Sequence, residues 1–388
     1  MMFSQVFEVT VMNLKNLPNR LGSSSVIVVG IGGVVAVMVA ILAMAAGFQS
    51  TLDRGGDPER AVVLRGGSDN ELSSFMDTEA INIVASMPGI VEASPELYMV
   101  ADVPKRSTGT DANLIVRGVS VSGFAVHDEV EIVEGRSFET GRGEIIAGRG
   151  AHIEFAGIDI GNTVRLRDSE WTIVGIFAAD GSAYESELWV DLPVAQSAFR
   201  LDGGASSMRL RLDSRERIDE LAERIENDPR LDVRLFGEKE FFSRQGGGLT
   251  STIRTFGYAV AVIMAIGAVF AALNTMYAAV VSRTVEIATL RALGFGRFPV
   301  VVSVMIESMA LALLGGLLGA AVSYFGFNGY TVSTLSNASF SQIAFDFAVT
   351  PELLRNGLVG ALGLGAIGGL LPAIRAALLP ITLALRGE

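Results

Sequence analysis

Cysteine is absent from this chain of 388 residues. No disulfide can brace any part of it, so an exported domain would depend on its own core, for which roughly 200 residues suffice. Histidine is almost missing. His127 and His152 are the only two, and without a thiolate beside them a soft-metal site is not expected. The dipeptide Gly-Lys occurs nowhere. That removes the GxxxxGK[ST] loop, whose lysine and hydroxyl hold nucleotide phosphates and Mg²⁺. No nucleophile motif accompanies the two histidines, so the chain is expected to be non-catalytic. Basic residues are also in deficit, 30 against 42 acidic for a net charge of −12, which gives no footprint for nucleic acid.

What is abundant is apolar surface. Half of the residues are hydrophobic and the mean hydropathy is +0.45, yet the apolar content is concentrated in runs. Val26 to Phe48 and Gly257 to Val281 carry no charge. Phe298 to Phe327 is broken only by Glu307, and Asn356 to Leu379 only by Pro372 and Arg375. Each can cross a hydrocarbon core roughly 30 Å thick at ~1.5 Å per residue, so four spans are predicted: 26–48, 257–281, 299–325 and 356–379. The first run is longer than the core of a cleaved signal peptide and is read as a retained anchor. Orientation follows from charge. Met1–Ser25, Ser282–Phe298 and Pro372–Glu388 together hold seven basic and three acidic residues (net +4), leaving 23 basic and 39 acidic (net −16) elsewhere. Basic excess marks the cytoplasmic side. Residues 1–25, 282–298 and 380–388 are therefore assigned inside, with 49–255 and a short loop, 326–355, outside.

The outside region reads as α/β. Ala61 to Leu64, Asn113 to Val119, Glu144 to Ala147, Arg209 to Leu212 and Val233 to Phe236 have strand character, and Thr163 to Leu166 with Trp171 to Phe177 suggest a hairpin. Ser73 to Met87 and Arg215 to Asn227 have helical spacing and stop at Pro88-Gly89 and Asp228-Pro229. Gly246-Gly247-Gly248 reads as a flexible joint ahead of the second span. Near the N-terminus, Phe3, Val6, Phe7, Val11 and Leu14 share one face of an interfacial helix over 3–20. The predicted fold is thus a four-span α-helical membrane protein with an α/β domain inserted between spans 1 and 2.

The most informative stretch is Ser282 to Tyr324, SRTVEIATLRALGFGRFPVVVSVMIESMALALLGGLLGAAVSY. Its short charged segment has Ile287, Leu290 and Leu293 or Gly294 at helical spacing, with Arg283, Glu286 and Arg291 off that stripe. Glu307 lies within the third span, where an ionisable group faces protein or water; a hydrogen bond to Asn274 or Thr275 is the expected partner. Gly315-x-x-x-Gly319 and Gly365-x-x-x-Gly369 are small-residue faces that let helices approach closely.

This stretch resembles the signature of FtsX/MacB-type permeases, the membrane subunits of one class of ABC transporter. Val133 to Phe199, with Gly135-Arg-Ser-Phe, the Glu144 strand, Gly161 and Trp171-Thr-Ile-Val-Gly175, resembles the MacB-like periplasmic core. The tail LPAIRAALLPITLAL completes a likeness over nearly the whole chain. The resemblance implies a multi-pass protein of a bacterial inner membrane, in contact with its lipids. Residues 282–298 would form the cytoplasmic helix that docks on a separate ABC ATPase, where ATP and Mg²⁺ would bind. Arg283, Glu286, Ile287, Leu290, Arg291, Leu293 and Gly294 would make or support that contact, with Glu286 foremost. Two ATPases call for two permeases, so a homodimer is expected, with a periplasmic adaptor and an outer-membrane channel as further partners. The implied task is to carry ATP-driven motion outward, for export. An FtsX-like regulator of cell-wall hydrolases and a lipoprotein-extracting permease remain as alternatives.

Overall fold

The computed structural model describes residues 6–8, 10–11, 21–201, 203–336 and 341–380. Most of the expected interfacial helix over 3–20 lies outside them. The described chain forms two compact units. One comprises Met1–Ala46, Thr252–Tyr330 and Phe347–Glu388; the other comprises Gly47–Ser251 and Thr331–Asp346.

Four helices in the described residues are long and apolar enough to cross a membrane. They are α1 (Leu21–Arg54), α7 (Glu238–Ser282), α9 (Arg297–Phe327) and α10 (Pro351–Leu378), and a short α8 (Thr284–Ala292) stands between α7 and α9. Each begins ahead of its predicted span, because backbone hydrogen bonding continues where apolarity stops. The overrun is largest in α7, which begins 19 residues before Gly257 and passes straight through Gly246-Gly247-Gly248. The expected joint is therefore helix. Part of the reason is contact: a Cβ on Gly246 would lie 2.3 Å from Leu52 Cδ1, so glycine lets α7 close against α1 there.

The helices of the first unit bury Ile27, Ile31, Val35, Ala272, Met276, Val304 and Leu311 in one cluster. Both glycine faces are used within the chain. A Cβ on Gly319 would sit 2.3 Å from the Gly32 carbonyl oxygen, and one on Gly315 2.7 Å from that of Val28, so this face of α9 lies on α1. Gly365 and Gly369 lie on Ala312 and Ser308, placing α10 on α9.

The second unit is built on a ten-stranded sheet. Its strands are β1 (Arg60–Arg65), β3 (Ile90–Pro104), β4 (Asp111–Val119), β5 (Glu131–Gly135), β6 (Glu144–Gly148), β7 (Thr163–Leu166), β8 (Ser169–Ala178), β9 (Glu187–Asp191), β11 (Ser207–Leu212) and β12 (Val233–Gly237). The order is β12-β1-β11-β3-β4-β9-β6-β8-β5, with β7 on β8 as the predicted hairpin. Short β2 (Met76–Asp77) and β10 (Gly204–Ala205) pair separately. Helices α2 (Thr78–Ala85), α3 (Gly123–Val126), α4 (Arg149–Glu154), α5 (Leu192–Phe199) and α6 (Arg217–Glu226) complete the domain.

The long β3 organises this unit. Up to Glu96 it pairs with β11, and from Leu97 it pairs with β4. Two apolar cores result: Val63, Leu210, Leu221 and Ile225 on one side, Leu97, Val116, Ile173 and Leu188 on the other. The assignment of 326–355 as a loop is corrected. Thr331–Ser336 and Ser341–Asp346 form a hairpin, β13–β14, that belongs to the α/β unit. Ala344 N donates to Ser186 Oγ at 3.0 Å, and the Phe345 and Phe48 rings meet edge to face at 5.4 Å.

Candidate functional site

The charged segment at 282–298 is an elbow. α7 ends at Ser282, Arg283 alone leaves helical geometry (φ −110°, ψ 13°), and α8 restarts at Thr284. No glycine or proline breaks the helix here. Instead, the Arg283 guanidinium turns inward. Nη2 donates to Glu307 of α9 at 2.6 Å, Nε donates to the Ala279 carbonyl at 3.2 Å, and both charged side chains are buried. The expected partners of Glu307, Asn274 or Thr275, are thus replaced by Arg283. An amide or hydroxyl would leave a buried carboxylate's charge uncompensated; a guanidinium neutralises it and supplies the hydrogen bond.

α8 has two faces. Ile287 and Ala288 are buried and Leu290 is half-buried. Arg291 Nη1 donates to the carbonyl of Leu379, just past α10. At the C-terminus Gly294 takes φ +96°, with Gly294 N donating to Arg291 O and Phe295 N to Leu290 O, each at 3.1 Å. That is a Schellman cap, which needs a residue tolerant of positive φ. The opposite face is open: Val285, Glu286, Thr289, Ala292 and Leu293 are exposed, Leu293 to 73%. The expected stripe therefore divides. Ile287 points in, Leu293 points out, and Val285 joins the outer face although the stripe omitted it. Glu286 is free of Arg283, which is committed to Glu307. Arg283 and Arg291 anchor the two ends of α8 to α9 and to the end of α10.

The α/β unit holds a second constellation that the sequence reading did not single out. Where β3 changes partners, Arg117 bridges Glu71, Glu96 and Glu187 at 2.6–2.8 Å, and Arg209 reaches Glu71 at 3.0 Å and Glu238 at 3.3 Å. Arg60 pairs with Glu238 at 2.6 Å and with Glu129 at 2.5 Å. His127 Nε2 lies 2.8 Å from Glu96. Burial alone would lower the His127 pKa, but Glu96 and Glu129 outweigh it and hold the imidazole up at about 9. Burial likewise opposes ionisation of Glu71, and the guanidiniums of Arg117 and Arg209 overcome it, holding its carboxyl down at about 2. The one signal available in the sequence was charge inside strand-like runs, as in Ser207-Met-Arg-Leu-Arg-Leu and Leu114-Ile-Val-Arg.

Residues 24–228 match the MacB-like periplasmic core domain, and residues 258–381 match the FtsX-like permease C-terminal domain. The chain belongs to the MacB/FtsX family of ABC transporter permeases. The ionic constellation falls mostly within the first match and the elbow wholly within the second. A macrolide export ATP-binding/permease protein MacB of Azoarcus sp. is 23% identical over 99% of this permease and 60% of that protein. The MacB of Escherichia coli is 26% identical over 79% and 48%, respectively. An uncharacterized ABC transporter permease of Methanocaldococcus jannaschii is 24% identical over 60% and 58%. The permease thus spans about half to three-fifths of the length of these relatives.

Proposed function

We propose that this permease transmits the work of an ABC ATPase across a bacterial inner membrane to its α/β domain, for export of a substrate handled on the far side. The observation that carries this reading is the outer face of α8. Val285, Glu286, Thr289, Ala292 and Leu293 stand exposed on a helix whose two arginines are turned inward as anchors. A free apolar–acidic face on a pinned helix suits docking in a groove, and the pins allow a push on α8 to reach α9 and α10. The ATPase carries the nucleotide and Mg²⁺. A second permease copy, a periplasmic adaptor and an outer-membrane channel complete the proposed assembly. Export is preferred over regulation of cell-wall hydrolases because the domain matches the MacB-like core.

The test is affinity purification of the tagged permease in mild detergent with its ATPase identified by mass spectrometry. Glu286→Lys and Val285→Asp should each cut ATPase recovery severalfold while membrane insertion is unchanged. Undiminished recovery would remove α8 from the coupling role, and a wall hydrolase in place of an adaptor would favour regulation.

A further inference from the structure

The two long helices that flank the α/β domain in sequence meet its sheet at one place. α1 ends at Arg54, and after five residues β1 begins at Arg60; α7 begins at Glu238, directly after β12. β1 and β12 are antiparallel neighbours, with Ala61 opposite Gly237. Arg60 and Glu238 therefore sit side by side at the same end of one strand pair, each at the root of a helix connection.

The roots are closed by contact. A Cβ on Gly56 would lie 2.7 Å from Lys239 Cα, and one on Gly55 3.1 Å from the Phe242 ring. Two turns further along α7, Gly246 meets Leu52, and Thr250 Oγ1 donates to Gln49 at 3.3 Å. At the centre of this junction stands the Glu238 carboxylate, 0% exposed. It accepts from Arg60 Nε at 2.6 Å and Asp57 N at 3.1 Å through one oxygen. Through the other it accepts from Tyr184 Oη at 2.9 Å and Arg209 Nη1 at 3.3 Å. Those donors come from the α1–β1 turn, β1, the segment before β9, and β11.

We propose that Glu238 is the positioning residue that locks the domain ends of α1 and α7 to the sheet as one body. A structural hydrophobic core would hold the sheet together without it. What the four donors add is direction: a carboxylate held on both oxygens fixes the axis of the first turn of α7 against two strands, the α1–β1 turn and the segment before β9. Under the coupling reading proposed above, on which the significance of this lock rests, any displacement of either helix then moves the sheet instead of bending at the junction. Without the negative charge, Arg60 and Arg209 lose a shared counter-ion inside the protein, and the first turn of α7 is the element free to shift.

The absence of cysteine makes the test direct, since spin labels attach only where cysteines are introduced. Gly247→Cys on α7 with Glu223→Cys on α6 reads helix against domain. Glu223→Cys with Asp102→Cys on β3 reads the domain against itself; all three sites are exposed. In the full chain in nanodiscs, Glu238→Gln should broaden the first distance distribution roughly twofold and leave the second unchanged. An unchanged first distribution overturns the lock. So does equal broadening of both, which would make Glu238 a stabiliser of the whole domain. If Glu238→Gln is not recovered folded, Tyr184→Phe removes one donor while keeping the ring, and the same two distributions decide. None of these readings needs an ATPase, so failure of the coupling proposal and failure of the lock remain separable.

Discussion

A carboxylate a third of the way along an apolar helix is costly until a cation meets it, and at Glu307 that cation is Arg283, 24 positions earlier in the chain. Removing one partner strands the other. Arg283→Met or Glu307→Met alone should lower stability by about 3–5 kcal/mol, and the double replacement should recover most of that loss. Thermal unfolding of the four proteins in one detergent forms the cycle; additive single effects would show that the two side chains act independently. His127 carries a second residue-scale prediction. Its folded pKa, about 9, lies above the ordinary 6.5, so its contribution is complete below 6.5 and is lost as pH rises through about 9. The loss amounts to roughly 3 kcal/mol if the unfolded imidazole titrates normally. Both tryptophans, Trp171 and Trp189, lie in this domain. Intrinsic fluorescence of the full chain should therefore show the unfolding midpoint falling over that window, and His127→Gln should flatten the fall. A midpoint that ignores pH across the window would deny the buried imidazolium.

At the scale of elements, period and charge pattern went a long way, and their failures have physical causes. β1, β4, β6, β7, β8, β11, β12 and α6 stand where alternation or helical spacing predicted them, within a few residues. β3 escaped because Pro95 and the charges of Glu92, Glu96 and Asp102 interrupt its pattern, although it bridges both cores. The charges have different fates. Glu96 is buried against Arg117 and His127, whereas Asp102 is exposed. The glycine triplet misled in the opposite direction. Glycine is the expected residue of a joint, but Gly246 is needed where α7 meets Leu52, and the helix runs through it. In α8, helical spacing identified the segment yet not its orientation. Which of Ile287, Leu290 and Leu293 faces inward depends on where α9 and α10 lie, and no local pattern encodes that.

For the whole molecule, the order along the chain, four apolar helices with an α/β domain inserted between the first and the second, agrees with both family matches. The charge asymmetry makes its orientation testable. Asp168, in the exposed turn between β7 and β8, is a site where an inserted reporter leaves the sheet intact. A reporter there should read as external, as the basic excess on residues 282–298 requires; a cytoplasmic signal would invert the topology and place α8 beyond reach of an ATPase. By itself the sequence determined the number and places of the apolar helices, the α/β character of the insertion and the segment that forms the elbow. These depend on local periodicity and on charge summed along the chain, which neighbours in space do not alter. Only the tertiary structure decided that Arg283 serves Glu307, that both glycine faces are used within the chain, and that Glu238 joins two helix roots to the sheet. Each of these pairs residues far apart in sequence, and the gain comes from desolvation and close approach, quantities that exist only once the chain has folded.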